Sequence, residues 1–170
     1  MKKLTLIIPA KNESEALPLV LDELKIYNLN INIILHESDV STIRSIENYP
    51  VNLIYQDNKG YGDALIKGIE TCTTDYFSIF NADGSFNPSE LKTMLFYIEK
   101  DKYDFVFGSR YQKKSGSEDD TIITLVGNYI FTWIGRFIFN LNISDILYTF
   151  VVGKTDKAKK LNLKKKDFSF

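Results

Sequence analysis

Asn81 and Asp83 flank the small Ala82 where an apolar, aromatic run ends, in the stretch DYFSIFNADGSFNPSEL of residues 75–91. In an extended strand exit, side chains two residues apart point the same way, about 7 Å apart along the backbone. Two hard oxygen donors so placed suit Mg2+ or Mn2+, ions that keep several coordination positions for water and phosphate oxygens. Such an ion would neutralise a diphosphate and stabilise it as a leaving group. The same residues also suit an Asx turn leading into a helix cap at Asn87, and both readings stand at this point.

A second corner lies in DNKGYGDALIKGI, residues 57–69, where Gly60 and Gly62 flank a helix entry and Lys59 precedes it. Glycine allows close backbone approach, and a helix N-terminus beside a lysine attracts phosphate or carboxylate. The pattern is neither a dinucleotide fingerprint, which needs a third glycine, nor a P-loop, which needs Gly-Lys-Ser/Thr. A tight turn without a ligand would use the same residues. Three further corners are polar: Pro9-Ala10 with Lys11-Asn12-Glu13, His36-Glu37-Ser38-Asp39, and Gly108-Ser109-Arg110. Helix capping alone favours Asp, Asn and Ser at such places. Several polar corners together point to one shared rim.

The elements that must position these corners follow from period. Leu4–Ile8, Ile31–Leu35, Val51–Tyr55, Tyr76–Phe80 and Phe105–Phe107 are short apolar runs, as expected of strands buried on both faces. Helical stretches alternate with them. Leu17, Leu21 and Leu24 recur behind Asn12 and Ser14, either of which could cap; Ala64, Leu65 and Ile69 share one side; and Asn87, Pro88 and Glu90 form a capping-box arrangement. The alternation predicts a single α/β domain, a mostly parallel Rossmann-like sheet with helices on both faces. Ligands of such sheets bind beyond the carboxyl ends of the strands, where the polar corners fall.

At 170 residues, 44% hydrophobic and 14% aromatic, the chain can bury one sizeable core. The N-terminal apolar run breaks at Pro9 and lacks a cleavage pattern, so it is expected to be a strand and not a signal peptide. Cys72 is the only cysteine, which excludes an intrachain disulfide and favours the reducing cytoplasm. It is expected to be a small buried or half-exposed thiol. Residues 1–150 carry 14 basic and 20 acidic side chains (−6), and residues 151–170 carry 7 and 2 (+5). That basic tail reads either as a solvated helix face or as a contact for anionic lipid or phosphate. The aromatic residues of 96–111 alternate with strand spacing and are expected in the core.

Taken in order, LTLIIPAKNESEALPLVLDEL, NKGYGDALIKGI, FNADGSFNPSEL, FVFGSRY and NISD resemble the successive motifs of family 2 glycosyltransferases with the GT-A fold. The likeness is strongest to the polyprenyl-phosphate (dolichyl-phosphate) mannose or glucose synthases and covers about residues 4–150. It implies a nucleoside-diphosphate-sugar donor, Mg2+ or Mn2+ at the Asp-x-Asp position, and inverting displacement at the anomeric carbon. Carried over, Pro9, Ala10, Asn12 and Glu13 line the nucleotide, Asn81 and Asp83 take the metal and diphosphate, and Arg110 faces phosphate charge. Lys59, Gly60, Gly62 and Ala82 would shape the donor pocket.

The sequence also departs from the family. His36-Glu37-Ser38-Asp39 replaces the usual Asp-Asp-Gly-Ser after the second strand, so His36 and Glu37 become the candidates for base or ribose contact, or His36 is a hydrogen-bonded structural group. Asn81 replaces an acidic residue, and weaker metal binding is expected. The chain ends at Phe170, before the region where the family completes its acceptor site, as in a shortened chain or a naturally short relative. A lipid-phosphate acceptor is already anionic and needs no general base; a glycan hydroxyl would need one, for which Asp145 is the candidate, its other role being to cap a turn. The expected organisation is one domain over 1–170, with a core over 1–111 and an acceptor-side helix and basic tail over 121–170. A non-catalytic, nucleotide-sugar-binding module is the alternative. No nucleic acid is expected among the partners.

In TIITLVGNYIFTWIGRFIFNLN, residues 121–142, Thr124, Asn128, Thr132, Arg136 and Asn140 fall every fourth residue and sweep an arc of roughly 160°. The length would allow a membrane span, but an arginine and four other polar residues weigh against it. Packing on the sheet would cover part of this helix. The rest is expected at a membrane interface or protein contact, with Trp133 and Phe137 as anchors and the basic tail near headgroups. The protein is accordingly expected in the cytoplasm or peripherally at the cytoplasmic membrane face.

Overall fold

The buried apolar runs become a six-stranded sheet in a computed structural model that describes residues 3–101, 103–109, 122–140 and 143–166. Its strands are β1 (Leu4–Pro9), β2 (Asn30–Leu35), β3 (Asn52–Tyr55), β4 (Tyr76–Ile79), β5 (Phe105–Phe107) and β6 (Val151–Lys154), in the spatial order β3-β2-β1-β4-β6-β5. The helices are α1 (Ala16–Leu24), α2 (Val40–Ser45), α3 (Tyr61–Thr71), α4 (Glu90–Asp101), α5 (Ile122–Phe139) and α6 (Thr155–Lys160). The result is a mixed α/β domain with a mostly parallel sheet, and its contacts group into two compact units. One comprises residues 1–106 and 152–170, the other residues 107–151.

In the first unit, β1 pairs in parallel with β2 and β4, and β2 with β3, in registers such as Ile8 opposite Ile33 and Ile7 opposite Ile79. Leu4, Leu6, Ile7, Ile8, Ile33 and Ile34 are wholly buried, which explains why these strands read as continuous apolar runs. Helix α3 reaches the sheet through Gly68, where a Cβ would stand 2.3 Å from Ile7 Cγ2. Ala64, Leu65 and Ile69 are buried on this helix, as their spacing predicts, and so is Cys72.

Strand β6 lies outside the sequence expectation. It runs antiparallel to β5, with Lys154 N–H donating to Asp104 O and Gly108 N–H donating to Phe150 O. Gly153 is required there, since a Cβ would stand 2.7 Å from both Phe77 and Phe105 rings. One capping expectation changes, and the other is kept in its hydrogen bond. Helix α1 has Glu15 at its N-cap position with no side-chain cap bond, so neither Asn12 nor Ser14 caps it. Asn87 does accept from Ser89 N–H and Oγ–H, but the helix proper begins at Glu90.

Four aromatic residues expected in the core between 96 and 111 are not there, and Tyr111 lies outside the described residues. Phe96, Tyr97, Tyr103 and Phe107 are each about half exposed, because β5 is a three-residue edge strand and α4 turns one face to solvent. Lys100 sits over the Phe96 ring, 5.2 Å from its centroid.

In the second unit, α5 buries Asn128 and Thr132 while Tyr129, Ile130, Phe131, Trp133, Phe137 and Ile138 remain exposed. Trp133 and Phe137 stack on each other, centroids 5.6 Å apart. Among the described residues no helix is long and apolar enough to cross a membrane.

Several lysines of the basic tail have acceptors within this chain. Lys154 and Lys157 reach Asp104, Lys160 reaches Asp156, Lys166 reaches Asp63, and Lys159 donates to the Cys72 carbonyl. That accounts for five of its seven lysines and supports the solvated-face reading over a lipid contact for those side chains.

Candidate functional site

The carboxyl ends of β1 to β4 surround a cavity of about 600 Å3 in the first unit. Its wall includes Pro9, Ala10, Asn12 and Glu13 after β1, and His36 after β2. Lys59 and Gly60 line it before α3, and Asn81, Ala82 and Asp83 after β4. Ten sequence-predicted residues thus share one wall although they span over seventy positions. Two do not: Gly62 is buried inside α3, and Glu37 is exposed outside the lining. Arg110 lies outside the described residues. Asp145 belongs to the second unit, where it is buried and accepts from Asn128 Nδ2 at 2.7 Å.

The wall is built by backbone geometry fixed from a distance. Asn12 adopts a left-handed conformation, φ 60°, which asparagine tolerates better than most residues. Its N–H donates to Asp39 Oδ2 at 2.7 Å, and the next N–H, of Glu13, donates to Thr42 Oγ1 at 3.0 Å. Asp39 also caps α2, accepting from Thr42 N–H and from Ser41 Oγ–H. One carboxylate therefore joins the β1 exit to the start of α2. Burial pushes its pKa up, but the bonds from Asn12 and Thr42 outweigh this and hold it below the ordinary aspartate value. Sequence reading recorded Asp39 only as part of a polar corner; its capping position before Val40 was the one available signal.

After β2, His36 Nδ1 accepts from the Ser38 N–H at 3.2 Å and lies 2.8 Å from Ser38 Oγ. In the neutral ring this leaves the proton on Nε2. After β3, Gln56 ties the loop together by donating from Nε2 to the carbonyls of Asn58 and Gly60. Gly60 itself has φ 155° and ψ 148°, backbone space that glycine enters freely.

After β4, both readings of the Asn81–Asp83 corner are partly realised. Asp83 Oδ1 accepts from Ser85 N–H at 2.9 Å, the Asx turn, while Oδ2 has no hydrogen-bond partner among the described residues. Asn81 Nδ2 donates to Ser85 Oγ at 2.8 Å, so its amide oxygen remains a donor for a cation. Gly84 completes the turn with φ 81°.

Acidic groups of this rim interact with each other. The Glu13 carboxyl is raised above its ordinary value, first by burial and then by the charges of Asp83 and Asp39. The charges of Asp83 and Asp39 make ionised Glu13 more costly, and a positive ion beside them would lower that cost. Among the described residues no group of three or more His, Cys, Asp or Glu side chains is arranged to enclose a metal. The donors present suit an ion shared with a diphosphate, because Mg2+ and Mn2+ commonly take most of their ligands from water and phosphate.

The second unit holds its own cavity of about 600 Å3, lined by Asn128, Thr132, Trp133, Arg136, Phe137 and Ser144 among others.

Comparison with known proteins extends these observations. Residues 5–161 match the family described as Glycosyl transferase family 2. Uncharacterized glycosyltransferases of Mycobacterium tuberculosis and Mycobacterium bovis are 25% identical over 142 residues, which is 84% of this chain and 63% of theirs. Among solved structures, mannosyl-3-phosphoglycerate synthase from Rubrobacter xylanophilus superposes with a TM-score of 0.70 at 17% identity, covering 91% of this chain and 53% of that one. Glucosyl-3-phosphoglycerate synthase from M. tuberculosis, in complex with Mn2+, UDP and glucosyl-3-phosphoglycerate, gives 0.72 at 10% identity, covering 91% and 57%. The chain thus spans just over half the length of those structures, and at these identities the likeness concerns the fold.

Proposed function

The chain belongs to glycosyl transferase family 2, and from that premise we propose that residues 1–170 act as one GT-A catalytic domain transferring a sugar from a nucleoside diphosphate to a phosphate-bearing acceptor, a polyprenyl phosphate first among them. The observation that carries the reading is the single cavity joining the β1, β2, β3 and β4 exits. Pro9, Ala10, Asn12 and Glu13 would line the nucleotide, with His36 Nε2–H directed to base or ribose. Lys59 and the Gly60 backbone would take phosphate charge, and Arg110 would add to it. Asn81 and Asp83 would hold Mg2+ or Mn2+, which when bound supplies charge neutralisation to the departing diphosphate.

These residues orient the donor and exclude water from the anomeric carbon; a phosphate acceptor attacks as an anion, so no residue need remove a proton. Burial of Asp145 against Asn128 fits a positioning role better than that of a solvent-facing base. A phosphate-bearing acceptor finds a parallel in the phosphoglycerate synthases, whose names specify a phosphorylated product without saying which oxygen receives the sugar. Exposed aromatic residues on α5 favour a lipid-bearing one, met at the cytoplasmic membrane face. A non-catalytic nucleotide-sugar-binding module is the second reading, favoured by the Asx turn that occupies one Asp83 oxygen.

The test is calorimetry of UDP- and GDP-linked sugars with Mn2+, followed by product analysis with polyprenyl phosphate and with 3-phosphoglycerate. Heat of binding without product on any acceptor supports the module. No heat for any donor removes the enzyme reading.

A further inference from the structure

Asp63, in the first turn of α3, joins two segments about a hundred residues apart in sequence. Its side chain is only 7% exposed. Oδ2 accepts from the Asn58 N–H at 2.9 Å, and Oδ1 accepts from Asn58 Nδ2 at 3.0 Å and lies 3.2 Å from Lys166 Nζ. Its own N–H donates to the Lys166 carbonyl at 3.1 Å. Residue 166 is therefore held by main chain and side chain together, and so is residue 58.

The two halves of this clamp face different tasks. Asn58 lies at the centre of the loop whose neighbours Gln56, Lys59 and Gly60 line the donor cavity. Lys166 ends a described segment without regular structure, 162–166, that runs from α6 back to α3. Leu163, Lys164 and Lys166 border a groove of about 290 Å3 with Asp57, Asp63 and Lys67. A lone surface ion pair would be worth little, but here one partner is buried and also bonded to the loop it would steady.

We infer that residues 162–166 form a strap that positions the donor-side loop, with Lys166 acting on Gln56–Gly60 through Asp63. The strap thereby sets how firmly Lys59 and the Gly60 backbone meet a nucleotide diphosphate, an inference that rests on the proposed donor site. Lys166 is a positioning residue and touches no substrate. The ionised state of Asp63 belongs to the same device: burial pushes its carboxyl up, and the bonds from Asn58 and Lys166 outweigh that and keep it below the ordinary aspartate value.

The experiment compares the full chain with Lys166→Ala, Lys166→Arg and Lys165→Ala, the last removing an equal charge one residue away. Amide hydrogen exchange at residues 57–60 is measured without ligand, and affinity for UDP and for GDP is measured with Mn2+. Lys166→Ala should speed exchange at Asn58 about threefold and weaken whichever nucleotide binds by about the same factor, with a melting temperature close to wild type. Lys166→Arg should restore both, and Lys165→Ala should change neither. Equal exchange at Asn58 in Lys166→Ala and Lys165→Ala overturns the strap, as does faster exchange with unaltered nucleotide affinity. If the wild-type chain binds neither nucleotide, the donor-site reading fails, and the exchange data still decide whether Lys166 orders the loop.

Discussion

The donor-side rim and helix α5 solve opposite problems with similar amounts of apolar sequence. At the rim, Leu4–Pro9 and its neighbours bury nearly every apolar side chain, with Thr5, Asn32 and Ser78 buried among them, and at the exits Asp39 and Asp63 bind backbone amides from other segments. Along α5 the polar Asn128 and Thr132 are inside, and Tyr129, Phe131, Trp133 and Phe137 face out. The first arrangement fixes a small set of atoms against each other. The second presents area without fixing any ligand atom, as expected of a surface that meets something soft or large. The two regions therefore differ in where their polar and apolar groups lie.

The sharpest way to break this contrast is Asp83→Ala. It should lower kcat/KM by about a hundredfold or more through loss of charge stabilisation, and should abolish the Mn2+ dependence of nucleotide binding while leaving the melting temperature nearly unchanged. Retained activity would move the chemistry elsewhere. Gly68→Ala tests the packing beneath the rim: a Cβ 2.3 Å from Ile7 Cγ2 forces the helix away from the sheet, at a cost of about 2 kcal/mol seen in urea denaturation.

Asp39→Ala should cost about 1 kcal/mol as a lost cap and should also weaken nucleotide binding, because the Asn12 and Glu13 backbone loses its anchor. Its pH signature is directional. The folded state holds the Asp39 and Asp63 carboxyls below the ordinary 3.8, so the unfolded chain binds more protons in that window. Their stabilisation is complete above pH 3.8 and is lost as pH falls through the folded values. Asp39→Asn should therefore flatten the acid limb of the stability curve. The smallest effect belongs to α5: Phe131→Ser should shift stability by no more than about 0.5 kcal/mol, since the ring is 56% exposed, yet should reduce binding to phospholipid vesicles. A larger loss of stability would mean that this face is covered.

The parallel strands and their polar exits were legible because burial on both faces writes itself as an unbroken apolar run, and the turn after each run must be polar. Ten of the predicted residues share the cavity for that reason. What pairs with what across the fold was not legible. Asp39 bonds to a residue 27 positions away, and Asp63 to one more than a hundred away, and no local period encodes either. Strand β6 escaped notice because it is short, contains Gly153 and gains its neighbours only in three dimensions. Phe96, Tyr97, Tyr103 and Phe107 read as core because their hydrophobicity is visible in sequence, whereas the edge position that exposes them is not.

The place of β6 between β4 and β5 also constrains the order in which the molecule can assemble. As the chain leaves the ribosome, β1 to β4 can form their parallel ladder once Ile79 has emerged, but β5 has no neighbour in the sheet until residues 151–154 follow. Throughout that interval the β4 edge and the aromatic β5 segment both stand unpaired, the condition under which nascent chains associate with one another or recruit chaperones. Slowed translation between residues 107 and 151 should therefore raise aggregation of this protein without altering the stability of what does fold.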